Sequence, residues 1–182
     1  LFEYRSIETD VLAHCMERVT RTRLAELVSQ ELWQPLGAQE NACFTVDSAG
    51  YSLADGGFNA TLRDYSRFDQ MLCNGGVGNG QRIVPVEWID DTLDANPDIF
   101  HQPYNVGIDN GAYRNQFWIR DVDRKVMMAR GVFGQLIYID IDNRLTITRL
   151  ASWPEFLSTE RKLDDYCAID AITKHLTEVT HE

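Results

Sequence analysis

The sequence is short of the features that would settle its role cheaply. It has four cysteines, Cys15, Cys43, Cys73 and Cys167, and no two form a C-x-x-C pair. That weakens zinc and thioredoxin-like readings. Three of the four fall inside helical patterns, which predicts buried free thiols and leans toward a reducing, cytoplasmic location. Positive charge is scarce: 17 Lys and Arg stand against 28 Asp and Glu, for a net charge of -11. Such a surface repels phosphate backbones, and the basic residues read as scattered, so nucleic acid is not an expected partner. The longest apolar runs are a few residues, far short of a membrane span. Repeats and low-complexity segments are absent. An initiator methionine, a leader and a loose tail are absent too, so the chain reads as beginning in the middle of something.

Hydrophobic residues make up 44% of the 182 positions, enough for a sizeable core. The first third reads as helical. Ser6 or Thr9 can cap a helix over about 9–19, carrying Val11, Leu12, Cys15 and Val19 at helical spacing. A second helix over about 22–34 is stopped by Pro35-Leu36-Gly37. Residues 44–60 read mainly as loop. Thr61 with Asp64 three residues on resembles a capping box, opening a helix to about 73 that buries Tyr65, Phe68, Met71 and Leu72. Pro85 suits the first turn of a helix over about 86–95, and 96–112 reads as loop. Strands follow at about 113–120, 124–130, 135–141 and 144–151, the last two joined around Asp142-Asn143. Ser158 is placed to cap a final helix over about 159–179. Helices, then an antiparallel meander, then a covering helix read as α+β.

Several motifs suggest chemistry and do not hold up. Gly50-Tyr51-Ser52-Leu53-Ala54 has the letters of a nucleophile elbow, which needs a strand before it and a helix directly after. Asp55-Gly56-Gly57 follows instead. His14, His101, His175 and His181 offer no obvious base. Gly76-x-Gly78-x-Gly80 lacks the helix start a phosphate loop requires. Asp121-x-Asp123 and Asp140-x-Asp142 lack the glycine and distal glutamate of a calcium loop and read as hairpin ends. Ala129-Arg130-Gly131-Val132-Phe133-Gly134-Gln135 is more informative. Its glycines interrupt a β pattern, which marks either a bulge or an edge whose exposed N–H groups can hold an oxyanion.

Taken together, five stretches resemble the serine β-lactamase and penicillin-binding-protein family. The nearest branch is the 6-aminohexanoate-dimer hydrolases and class C β-lactamase-like esterases. The stretches are FEYRSIETDVLAHCMERVT, YSLADGGFNATLRDYSRF, CNGGVGNGQRIVPVEWI, YRNQFWI and ARGVFGQLIYIDIDNRLTITRLASWP, in the family's order. The resemblance implies a β-lactamase/transpeptidase-like fold, an antiparallel sheet flanked by helices. It implies a serine hydrolase acting on small amides or esters, with no metal or organic cofactor. Tyr4-Arg5-Ser6 matches the family's Y-x-S, which makes Tyr4 the proton relay and Ser6 its polar companion. To act as a base, the Tyr4 phenol needs a neighbouring cation to lower its pKa. Ala129-Arg130-Gly131 stands where K-T-G belongs. It lacks the lysine that meets a β-lactam's carboxylate, and it leaves Arg130 and Gly131 beside the substrate. The Val132 N–H would be an oxyanion donor. Asp55 matches a substrate-bordering position, with a loop-capping role as the alternative. The family's S-x-x-K is missing: no serine here has a lysine three residues on. The chain is therefore expected to be the C-terminal portion of one domain. Its partners would be the missing N-terminal half or a second copy, besides the small-molecule substrate. A non-catalytic fragment that oligomerises or binds a ligand is the competing expectation.

Overall fold

The computed structural model describes residues 2–179. His181 therefore lies outside the described residues. The chain divides into two compact units, Glu3–Ile89 and Leu1–Phe2 with Asp90–Glu182. Each is described by itself.

The first unit opens with α1 (Ile7–Thr20), which ends at Arg21 in the left-handed conformation, its N–H returned to the Glu17 carbonyl. The Glu17 carboxylate then takes the N–H of Leu24 at 2.8 Å, starting the next helix. That helix runs as α2 (Leu24–Val28), widens into a π turn at Ser29–Trp33, and finishes as α3 (Gln34–Leu36). Of the Pro35-Leu36-Gly37 stop read from the sequence, Gly37, at φ 71°, is the residue that ends the helix. Pro35 rides inside the last turn because the wider turn before it relieves the clash of its ring with the preceding carbonyls.

Residues 43–60 carry a short ladder, β1 (Cys43–Phe44) with β2 (Phe58–Asn59), that was read as loop. Phe58 gathers the rings of Trp33, Phe44 and Tyr65 around it at 4.9–6.1 Å. Helix α4 (Leu62–Cys73) is capped as expected, the Thr61 hydroxyl accepting the Asp64 N–H. Met71 and Leu72 are buried, while Tyr65 and Phe68 are half-buried. The more telling burial is Asp64, fully enclosed. It accepts the N–H groups of Gln39 at 2.9 Å and Glu40 at 3.1 Å, the Thr61 hydroxyl at 2.9 Å and Arg67 at 2.9 Å. Burial alone would raise its pKa. The Gln39 amide, the Thr61 hydroxyl, the Glu40 amide and the Arg67 charge outweigh burial and hold it below the usual carboxylate value. The Gly-rich stretch is a hairpin, β3 (Val77–Gly78) with β4 (Gln81–Arg82), as its turn reading required. At Gly76, φ 87°, a Cβ would stand 2.0 Å from the Val84 carbonyl oxygen.

Helix α5 (Val86–Leu93) crosses the division. The second unit is then a five-stranded antiparallel meander in the order β5-β6-β7-β8-β9: Ala112–Arg114, Phe117–Asp121, Val126–Arg130, Leu136–Asp140 and Leu145–Arg149. The predicted strand over 113–120 is two strands. Asn115 and Gln116, at φ 49° and 67°, turn the chain back, so that Arg114 pairs with Phe117. A two-residue hairpin of this hand needs positive φ at both central positions. Trp118, Met128, Tyr138 and Ile147 form a cross-strand row. Helix α6 (Thr159–Val179) seats Tyr166 and Ile169 in the cluster that row belongs to. Burying each such large side chain contributes about 1.5–3 kcal/mol.

Two expectations about burial fail. Cys15, Cys43 and Cys167 are exposed and Cys73 is half-buried, and all four are free thiols. In addition, α1 buries only Ala13, while Ile7, Val11, Leu12, Met16 and Val19 are exposed. The stripe on α6 behaves likewise, with Leu163, Ile172, Leu176 and Val179 exposed. The helical periodicity was read correctly, but among the described residues these faces stay uncovered.

Candidate active site

Tyr4 stands in the extended segment leading into α1 and is 37% exposed. Its phenol is pushed above its usual pKa, first by partial burial and then by the carboxylate of Asp55. Among the described residues, then, the charge bearing on Tyr4 has the opposite sign to the one a general base needs. The phenol therefore stays protonated. Ser6 precedes α1 in helical geometry, and its carbonyl takes the Thr9 N–H at 2.9 Å. Its hydroxyl makes no capping bond, so capping does not occupy it.

Asp55 is positioned from α1. The Asp10 carboxylate, in the first turns of α1, accepts the N–H groups of Ala54 at 2.7 Å and Asp55 at 3.2 Å. That clamp pins the turn at 54–56 to α1, on the same unit as Tyr4. A cap on a distant turn has no local signature, and so the pairing of Asp10 with Ala54 could not be read from spacing.

In the other unit, Arg130 ends β7, and Gly131 and Val132 follow it. Arg130 pairs with Leu136, and the Gly131 N–H meets the Gln135 carbonyl at 3.0 Å. The chain then makes one 3-10 turn, Val132–Gly134. The glycines therefore belong to the β7–β8 hairpin connection, which overturns both alternatives: the ladder to β8 has no bulge, and β7 lies between β6 and β8, not at an edge. Gly131 is required because a Cβ there would stand 2.9 Å from the Gln135 side chain. The Val132 N–H is the first of its turn. No group among the described residues accepts it, and Val132 is 39% exposed. It is an available donor at a strand end, the type of group that holds an oxyanion. The Arg130 guanidinium lies 5.1 Å from the Trp118 ring centroid, a cation–π stack along the sheet face.

The other motifs resolve as structure. Asp47 takes the N–H groups of Ala49 and Tyr51, making Gly50-Tyr51-Ser52 a side-chain-capped turn with no helix after it. Asn110 bridges Asp121 and Asp123, and Asp140 accepts the N–H and side-chain amide of Asn143 at the β8–β9 turn. Among the described residues no three His, Cys, Asp or Glu are grouped to hold a metal, and no helix is long and apolar enough to cross a membrane. The basic residues are less scattered than they read. Arg18, Arg21 and Arg23 gather with His14 and Tyr51 around an open cavity of about 560 Å³ at the end of α1.

A family model described as Beta-lactamase matches residues 1–169. The chain is 35% identical, over 156 residues, to the 6-aminohexanoate-dimer hydrolase of Paenarthrobacter ureafaciens, covering 85% of this chain and 40% of that protein. A candidate 6-aminohexanoate-dimer hydrolase from Bacillus anthracis superposes with a TM-score of 0.84 at 30% identity, over 98% of this chain and 45% of that one. A candidate beta-lactamase from Bacteroides dorei DSM 17855 shares the fold, with a TM-score of 0.62 at 17% identity, over 87% of this chain and 54% of that one. The chain thus spans about two fifths of the curated relative's length. The model match covers residues 1–169, most of the chain, and the chain belongs to the beta-lactamase family.

Proposed function

We propose that this chain is the C-terminal part of a single-domain serine hydrolase that cleaves amide or ester bonds of small substrates through an acyl-enzyme. The observation that carries the reading is the unclaimed Val132 N–H, directly after Ala129-Arg130-Gly131 at the end of β7. A serine from an S-x-x-K segment outside these residues attacks the carbonyl, and its lysine takes the proton. The Val132 N–H, with the nucleophile's own N–H, holds the negative oxygen. Tyr4, which stays protonated, donates a proton to the leaving nitrogen or oxygen. Water then releases the acyl group, the same groups acting in reverse. By the family resemblance, Ser6, Asp55, Arg130 and Gly131 are the substrate-contacting residues. Without a lysine in place of Ala129, the preference is for linear amides or esters over β-lactams.

The test uses the full-length enzyme. Tyr4→Phe should lower kcat by about 10²–10⁴-fold, the usual range for a lost general acid or base. A fully active variant rules out the role of Tyr4. This chain alone should neither turn over an activated ester nor react with a fluorophosphonate, and labelling at Ser52 would overturn that expectation.

A second reading is favoured by the exposed apolar faces of α1 and α6: a non-catalytic fragment that covers them by self-association or by binding the other half. A concentration-dependent dimer in sedimentation, combined with inert full-length protein, decides for it.

A further inference from the structure

The hairpin connection carrying Val132 is strained. Phe133 holds φ 54°, a left-handed conformation costly for an aromatic residue, and Gly134 follows at φ 88°. Such a backbone persists only when its surroundings over-determine it. Here the determinants come from the segment after β9. The Phe133 N–H donates to the Phe156 carbonyl at 3.0 Å, and the Phe133 carbonyl accepts the Trp153 N–H at 3.1 Å. The Gln135 side chain brackets Ala151, donating to its carbonyl at 2.6 Å and accepting its N–H at 3.0 Å. The Trp153 ring lies so close over Gly134 that a Cβ there would stand 2.5 Å from it.

One side chain ties these pieces to the helix. The last residue of β9, Arg149, donates through Nε at 3.0 Å and Nη2 at 2.9 Å to the Gly134 carbonyl. Its Nη1 and Nη2 also form a two-pronged pair with Asp165 on α6, and its Cζ lies 5.2 Å from the Trp153 ring centroid. All five N–H groups of an arginine stand in one rigid fork, so the carbonyl, the carboxylate and the ring are fixed against one another. Lysine has no such fork.

We infer that the Arg149–Asp165 pair is the positioning device of the oxyanion donor: it locks the Phe133–Gly134 backbone so that the Val132 N–H keeps one direction. The inference rests on the proposed role of Val132. Neither residue touches the reacting atoms. The device works by removing reorganisation from the moment the oxyanion forms, so its loss falls on turnover and leaves ground-state binding in place.

The test compares Arg149→Lys, Arg149→Met and Asp165→Asn in the full-length enzyme. Two quantities are read: amide exchange at Gly131, Phe133 and Trp153, and the split between kcat and KM. Exchange at these three amides should quicken about 10-fold or more while β7 and β8 stay protected. With it, kcat should fall about 10–100-fold and KM change less than about 3-fold. Arg149→Lys should fail to restore either quantity, and it serves as the decisive variant if Arg149→Met does not fold. Unchanged exchange in Arg149→Lys and Asp165→Asn overturns the inference, whatever the kinetics. Quickened exchange with unchanged kcat upholds the lock and refutes the role of Val132 instead.

Discussion

Asp64 gives the sharpest test of how the first unit is held. It is a carboxylate with a side chain 1% exposed, closing four hydrogen bonds to groups from three places: Gln39 and Glu40 after α3, Thr61 at the cap of α4, and Arg67 one turn on. In Asp64→Ala the two backbone N–H groups lose their acceptor inside the protein. Each unsatisfied buried donor costs about 1–3 kcal/mol. Arg67 is partly exposed and can turn to water, so its loss adds little. The sum is about 2–6 kcal/mol, which brackets the about 3–5 kcal/mol for breaking a buried charge pair from one side. Against a total stability of about 5–15 kcal/mol, that shifts the urea midpoint strongly. Asp64→Asn keeps an acceptor for one amide but turns a donor toward the other, and should cost about 2 kcal/mol. The pH dependence has a definite sign. The folded pKa is depressed, so the stabilisation is fully present above the unfolded value near about 3.9 and is lost as pH falls through the folded value. The gap between the parent and Asp64→Asn should therefore narrow on acidification and not on going above neutral. The assay is urea unfolding by circular dichroism at several pH values. A cost below about 1 kcal/mol for Asp64→Ala, or a gap independent of acid pH, refutes the reasoning.

Other expectations follow from single contacts. Thr61→Ala removes the cap of α4 and should cost about 1 kcal/mol in the same urea assay. The double variant with Asp64→Ala should cost less than the two added, since they share a bond. Gly76→Ala puts a methyl on the Val84 carbonyl in a left-handed backbone, and unfolding should show a loss of more than about 2 kcal/mol. Asp55→Asn removes the negative charge next to Tyr4, so ultraviolet difference titration should find the phenol ionising at lower pH than in the parent. Under native conditions iodoacetamide should modify Cys15, Cys43 and Cys167 before Cys73, as read by peptide mass spectrometry.

Much of the fold was legible in local pattern. The capped start of α4, the span of α6 and the strands β7, β8 and β9 follow from caps and periodicity, because those signals lie within a few residues of the structure they specify. Failures come where partners are remote. Asp64 reads only as the acidic residue of a capping box until Gln39 and Glu40, 25 and 24 residues away, are seen to point at it. The β5–β6 turn escaped notice because Asn115-Gln116 carries no glycine. The exposed cysteines were misassigned because an apolar stripe says a face wants covering, not that this chain covers it. Site legibility divided in the same way. Tyr4 and Val132 were picked out by motif resemblance. Physics alone reached only the glycine-bearing strand end, and it saw neither the clamp of Asp10 on the 54–56 turn nor the fork of Arg149.

The π turn at Ser29–Trp33 carries a consequence for how this helix can vary. Its i to i+5 closure holds one residue more than an α turn does. Pro35 follows immediately and has no N–H to give. The two features belong together. Deleting one residue between Ser29 and Trp33 would draw the turn into ordinary α-helix and press the proline ring on a carbonyl, whereas a chain without the proline has no use for the extra residue. Among related sequences, insertion and proline should be gained and lost as a pair.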